Sequence, residues 1–303
     1  MNSPSNTTIR RAVTICLAAV SLGTLSAAAS KHITPVAGAA TIASVQYLVC
    51  LILTLPSIRH HGSNSLHTQR LPLHLLRGLS GALCFFIYYT SIEHIPLVEA
   101  TLLRNSAPLC VPLVVLIMLN QRIARQRWIP LIIGFIGIAI VLRPSDGSLN
   151  LYHILGLGAA LCYALSMVST QMLSTTEPNH RILFYYFTIS LACLLPFSIG
   201  HWREIPLFAW PWLIFIGAAL YLSLRLYTYA YSLADAAILS PISYFSVVGA
   251  GIIGWAVWGH SPDPLSVIGI LLVCTGGISV ILIGHVKSKK IKGLPSNGGC
   301  TNE

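Results

Sequence analysis

The sequence predicts an all-α integral membrane protein of ten transmembrane helices, arranged as two inverted five-helix repeats. Three observations predict it. The chain has 303 residues, of which 55% are hydrophobic and only 9% charged. Apolar runs long enough to cross a bilayer recur along its whole length, which no soluble domain of this size shows. Two segments read alike: PLVEATLL at 96–103 and SLADAAIL at 232–239, 136 residues apart. A second echo links Ile136, Gly137, Ile138 and Leu142 to Gly276, Gly277, Ile278 and Leu282, at an offset of 140. Internal repetition decides the fold before any local reading does.

A membrane span needs roughly 20 apolar residues at about 1.5 Å rise each. The first, 11–29, follows Arg10 and Arg11 and ends on Ala27, Ala28 and Ala29. That pattern imitates a secretory signal, but cleavage would leave the repeat incomplete, so it is expected as an uncleaved helix. The second, 36–55, carries Gln46 in its middle, and the third, 73–92, opens near Arg77. The fourth, 98–118, starts at Glu99 and contains Arg104, Asn105, Ser106, Pro108 and Pro112. The fifth, 129–143, is short, and a polar linker at 144–150 follows it. The sixth, 151–172, carries Tyr163, Ser166 and Gln171. The seventh is 181–200, and the eighth, 208–230, holds Arg225. The ninth, 236–258, follows Asp235 and carries Ser240, Pro241, Ser243, Tyr244 and Ser246; the tenth is 265–284. Backbone groups in lipid must be satisfied within the segment, so these are helices. Residues 1–9 and 286–303 remain as tails around repeats at 10–143 and 151–285.

The net charge of +10 invites a nucleic-acid reading, but its placement opposes one. With the N-terminus inside, the cytoplasmic loops and tails collect Arg10, Arg11, Arg59, Arg70, Arg122, Arg125, Arg127, Arg181, Lys287, Lys289, Lys290 and Lys292. The outer loops hold only Lys31, Arg143 and Arg203. Twelve against three is a positive-inside pattern that puts both termini in the cytoplasm. The eight cysteines form no C-x-x-C, and seven fall within spans. Such thiols pack as small hydrophobes, so no disulfide, metal or cofactor is expected.

Five spans per copy force the second repeat to enter the membrane from the opposite side. Inverted repeats are an architecture of carriers, with the solute near the midplane between them. The residues that carry this repeat also resemble a family. In the first half they are Leu76-Arg77-Gly78, Glu99-Ala100, Pro108, Trp128, Gly134 and Gly137. In the second they are Tyr229-Ala230-Tyr231, Asp235-Ala236, Pro241, Tyr244, Gly259, Pro262-Asp263 and Gly269. The chain resembles the EamA-type transporters of the drug/metabolite transporter superfamily over nearly its whole length. The resemblance implies a non-enzymatic carrier, in a bacterial inner membrane, that exports amino acids or related small metabolites. It departs from the pattern at two places: Asn120-Gln121 and Gly259-His260 stand where the family usually has Gly-Glu. Neutral Gln121 cannot do electrostatically what an acid does there.

The candidate site residues lie mainly on spans four and nine. Proline-interrupted helices at corresponding places in the two halves mark a carrier's site, which singles out Pro108 and Pro241. Arg225, Arg104, Asn105, Ser106, Tyr244 and Gln46 are the expected solute contacts, suiting an anionic or zwitterionic solute. Helical side chains lean toward their own N-terminus, which draws Arg225 deeper and lets Arg77 and Arg104 lean toward water. Glu99 and Asp235 each follow a helix start by three residues, so first-turn capping competes with gating. One enzymatic alternative rests on the Gly-x-Ser-Gly pattern around Ser80, which would need a histidine base within hydrogen-bond reach at membrane depth.

Overall fold

A computed structural model describes residues 6–61, 66–120, 125–141, 151–200, 204–233, 239–260 and 263–292. The helices are α1 (Asn6–Ala37), α2 (Ala39–His61), α3 (Leu71–His94), α4 (Leu97–Asn105), α5 (Ala107–Leu119), α6 (Trp128–Val141), α7 (Leu151–Ser174), α8 (Asn179–Gly200), α9 (Trp210–Leu233), α10 (Phe245–Trp258) and α11 (Pro264–Lys292). No strand occurs among the described residues. Among the described residues, seven segments are long and apolar enough to cross a membrane, α4 with α5 counting as one; three further apolar helices, at 128–141, 242–258 and 264–279, are shorter. The outer surface is apolar in the way lipid requires: Ile117 is 82% exposed and Leu207 87%. Ser30, Thr34, Gln46, Ser91 and Ser106 are fully buried instead. The protein is an integral membrane protein.

The turns follow from backbone chemistry. No loop separates the first two spans at 30–35. Instead α1 continues to Ala37, and Gly38 at φ +75° reverses the chain directly into α2, its N–H bonded to Thr34 O at 2.8 Å. Glycine takes that left-handed angle without a Cβ penalty. Asn120 (φ 50°) after α5 and Gly259 (φ 68°) after α10 adopt the same conformation at corresponding ends of the two halves. Asparagine is the usual substitute for glycine there, which explains locally how Asn120 replaces it.

The packing exchanges the halves. Helix α3 lies along α7 and α8 as α9 lies along α1 and α2, and α10 meets α1 as α4 and α5 meet α7. The remaining large interfaces, α2 with α8, α6 with α11 and α4 with α10, each join a helix to its own counterpart. The correspondence reaches single atoms. Ser190 Oγ donates to Gly78 O at 2.9 Å, and Cys50 Sγ donates to Gly217 O at 3.3 Å. The same glycines admit the neighbouring helix: a methyl on Gly78 would meet Ile189 Cγ2 at 2.5 Å, and one on Gly217 would meet Val49 Cβ at 2.6 Å. An isologous interface has this form, in which i meets j and the counterpart of j meets the counterpart of i.

Candidate functional site

Helix α4 ends where its sequence makes it end. Ser106 adopts φ −74°, ψ −1°, and its hydroxyl bonds back to Leu103 O at 2.6 Å. Pro108, in the first turn of α5, cannot donate to the preceding turn, so the chain restarts as a new helix. Across from it, Ser240–Tyr244 forms a 3₁₀ turn with Pro241 in its first turn, before α10 begins at Phe245. The two interruptions are tied together. Asn105 Nδ2 donates to Ser246 Oγ at 2.6 Å, and Ser246 Oγ donates to Ser243 O at 2.6 Å.

Arg104, the last residue but one of α4, projects from this junction. Its guanidinium carbon stands 4.9 Å from the ring centres of Phe85 and Tyr88 and 5.0 Å from that of Tyr163. Aromatic faces attract a cation through their quadrupole. The guanidinium therefore stands among three ring faces. Its Nε is buried without a partner, while the residue as a whole stays half-buried. The expected lean of Arg104 into water is therefore corrected: the helix breaks two residues on, and the side chain enters the ring cage.

Arg77 is corrected in the same sense. It is 8% exposed, its Nη1 bonds Ser166 Oγ, and its guanidinium carbon lies 4.0 Å from the Tyr186 ring centre. Tyr47 donates its hydroxyl proton to Gly81 O at 2.9 Å, so Tyr186 donates to Tyr47 across 3.1 Å. Gln46 is fully buried and accepts from the Tyr89 hydroxyl, leaving its Nε2 without a partner. Tyr244 is buried against Gly277 of α11 with its hydroxyl unpaired among the described residues. Arg225 leans back over Tyr221 at 6.0 Å, as expected of its direction, but on an exposed face of α9. It does not join Arg104.

Glu99 sits in the first turn of α4 behind Pro96, which has no N–H to close a capping box. Its Oε2 accepts from His153 Nε2 at 2.8 Å instead. Nearby, Lys31 is not a loop residue: it lies in α1, 8% exposed, and its ammonium donates to Ile92 O and Ile95 O at 2.7 Å each. Those carbonyls end α3, where the helix dipole favours a cation. Sequence reasoning missed His153 and the burial of Lys31. Asp235, the counterpart of Glu99, and Gln121, Arg143 and Arg203 lie outside the described residues. Ser80 Oγ donates to Arg77 O at 3.3 Å rather than engaging a base.

Comparison with known proteins bears on all of this. The description "EamA-like transporter family" matches residues 10–143 and again 150–283. An S-adenosylmethionine uptake transporter of Rickettsia bellii is 29% identical over 248 residues, 79% of this chain and 82% of that protein. A pseudopaline exporter of Pseudomonas aeruginosa is 29% identical over 221 residues, 71% and 77%. A riboflavin transporter of Brucella anthropi is 29% identical over 232 residues, 73% and 80%. One solved crystal structure superposes with a TM-score of 0.60 at 16% identity, covering 93% of this chain and 99% of its own, which supports the fold alone. These relatives are transporters, not enzymes, so the hydrolase alternative at Ser80 falls.

Proposed function

The chain belongs to the EamA-like transporter family, and we propose that it carries a small anionic or zwitterionic metabolite by alternating access between two inverted repeats. That it is a membrane transporter follows from the family and the relatives. The observation that carries the solute class is Arg104. It is a permanently charged guanidinium in the middle of the chain's two broken helices, ringed by aromatic faces and paired with no carboxylate among the described residues. Ionisable groups at such depth serve solute or ion pathways by default, and ring faces suit a solute that itself carries a ring.

Alternating access draws support from the exchanged packing, since helices that pair with their own counterparts can rock about the shared axis. The side-chain contacts also sort the helix ends into two groups. Lys31, Glu99, His153 and Trp258 gather at one end, and Thr68, Glu177, Arg181 and Tyr185 at the other. In the proposed topology the first group faces outward, and both termini lie in the cytoplasm of a bacterium. Export is the direction implied by resemblance, and the pseudopaline exporter shares it. The S-adenosylmethionine relative runs inward. Direction therefore belongs to the coupling gradient, because a rocking carrier works both ways.

Counterflow in proteoliposomes tests the reading. Preloading with S-adenosylmethionine or single amino acids should drive uptake of the labelled form of at least one of them. Arg104→Gln should reduce its exchange at least about tenfold. Equal exchange by the variant would remove Arg104 from the site, and no exchange of any solute would defeat the proposed solute class.

A further inference from the structure

We propose that Arg77 and Arg104 form one two-point anion site between α3 and α7, built for a solute with two acidic groups. The inference rests on the carrier reading and deepens it. Both guanidiniums project into the same seam. Arg77 bonds Ser166 of α7, and Arg104 faces Tyr163 of α7 one turn away and Phe85 of α3. Ser166 and Tyr163 are three residues apart, and Arg77 and Phe85 eight. At about 1.5 Å per residue, the two charges stand on the order of 5–12 Å apart along the seam.

Their surroundings are neutral throughout. Arg77 meets a serine hydroxyl and the Tyr186 ring; Arg104 meets three ring faces. Each Nε is buried without a partner. Among the described residues the acids are engaged or exposed: Glu99 pairs with His153, Glu177 with Arg181, and Glu93, Glu204 and Asp263 are exposed. Two cations without counter-ions among the described residues, Arg77 buried and Arg104 half-buried, are costly in a low-dielectric interior. A ligand supplying two carboxylates, or a carboxylate and a phosphate, offsets that cost, and guanidinium forks match both groups bidentately. A solute with a single acid satisfies only one of them.

The test uses the purified full-length protein and the thermal shift given by glutarate and suberate, with hexanoate as the one-acid control at equal ionic strength. One of the diacids should bind at least about tenfold more tightly than hexanoate. Arg77→Gln and Arg104→Gln should each erase that advantage while leaving hexanoate-level binding. Arg77→Lys, which keeps the charge and guards against a folding defect, should retain most of it. Diacids that bind no better than hexanoate, or an advantage that survives Arg77→Gln, would overturn the two-point site. Failure here with counterflow of a mono-acid solute intact would leave the carrier reading standing; absence of counterflow for every solute would remove the reading beneath it.

Discussion

Glu177 lies between α7 and α8, outside the spanning segments, and shows how one buried acid is held. Burial alone would raise its pKa. Hydrogen bonds from Thr68 (2.7 Å) and Arg181 (2.5 Å), with the charge of Arg181, win and hold the carboxyl below its usual range. A depressed carboxylate stabilises the fold at pH values above its unfolded pKa of about 4.3, and that stability is lost as pH falls through the lower folded value. Glu177→Gln should therefore cost about 0.5–2 kcal/mol near neutrality. Its melting temperature should also vary less between pH 6 and pH 3 than that of the parent; parallel pH profiles would contradict this. Glu99 differs in kind. Its first-turn position was legible in the sequence, but its partner was not, because His153 stands 54 residues away and reaches it only through the packing of α4 against α7. Arg225 shows the complementary case, on an exposed face of α9. Its lean follows from helix geometry, yet which side of α9 faces inward does not. Helices in lipid are apolar all round, so periodicity identifies their inner face poorly.

Among the elements, the glycine seams carry the close approaches. On α7 and α10 a methyl on Gly156 would lie 2.9 Å from Leu103 and one on Gly249 3.1 Å from Thr24, while one on Gly254 would meet nothing within 4 Å. The tightest backbone contacts fall between α6 and α11, where a methyl on Gly276 would lie 2.7 Å from Gly134 N and one on Gly137 2.7 Å from Val273 N. The motif glycines were visible, but the helix each one meets had to come from the fold. Gly78 and Gly217 offer the sharper test, since each admits a β-branched residue of the other half. Gly78→Ala and Gly217→Ala should each destabilise by about 1–3 kcal/mol through overpacking. The double variant should lose close to the sum, since the two sites share no partner. Chemical-denaturation midpoints would measure this. A tolerated Gly217→Ala beside a damaging Gly78→Ala would mean that the halves are not energetically equivalent there.

For the whole molecule, the repeat was legible because it is written in short motifs, and the count of five apolar runs per copy led to inversion. The charge pattern agreed with it while misplacing Lys31, whose ammonium serves the end of α3 rather than an outer loop. Inversion makes a demand that no parallel duplication makes: equivalent loops must lie on opposite faces of the membrane. Gln69 and Glu204 are suitable reporters. Both are exposed, and each follows the second long helix of its repeat, α2 and α8 respectively. The eight native cysteines would first be replaced, and single cysteines then introduced as Gln69→Cys and Glu204→Cys. In intact cells, with any outer membrane made permeable, an impermeant maleimide should label the cysteine at 204 and spare that at 69 until the inner membrane is opened. Labelling of both from the same side would break the inverted repeat. With it would go the reason to expect the junction of α4, α5 and α10 to open alternately to the two faces.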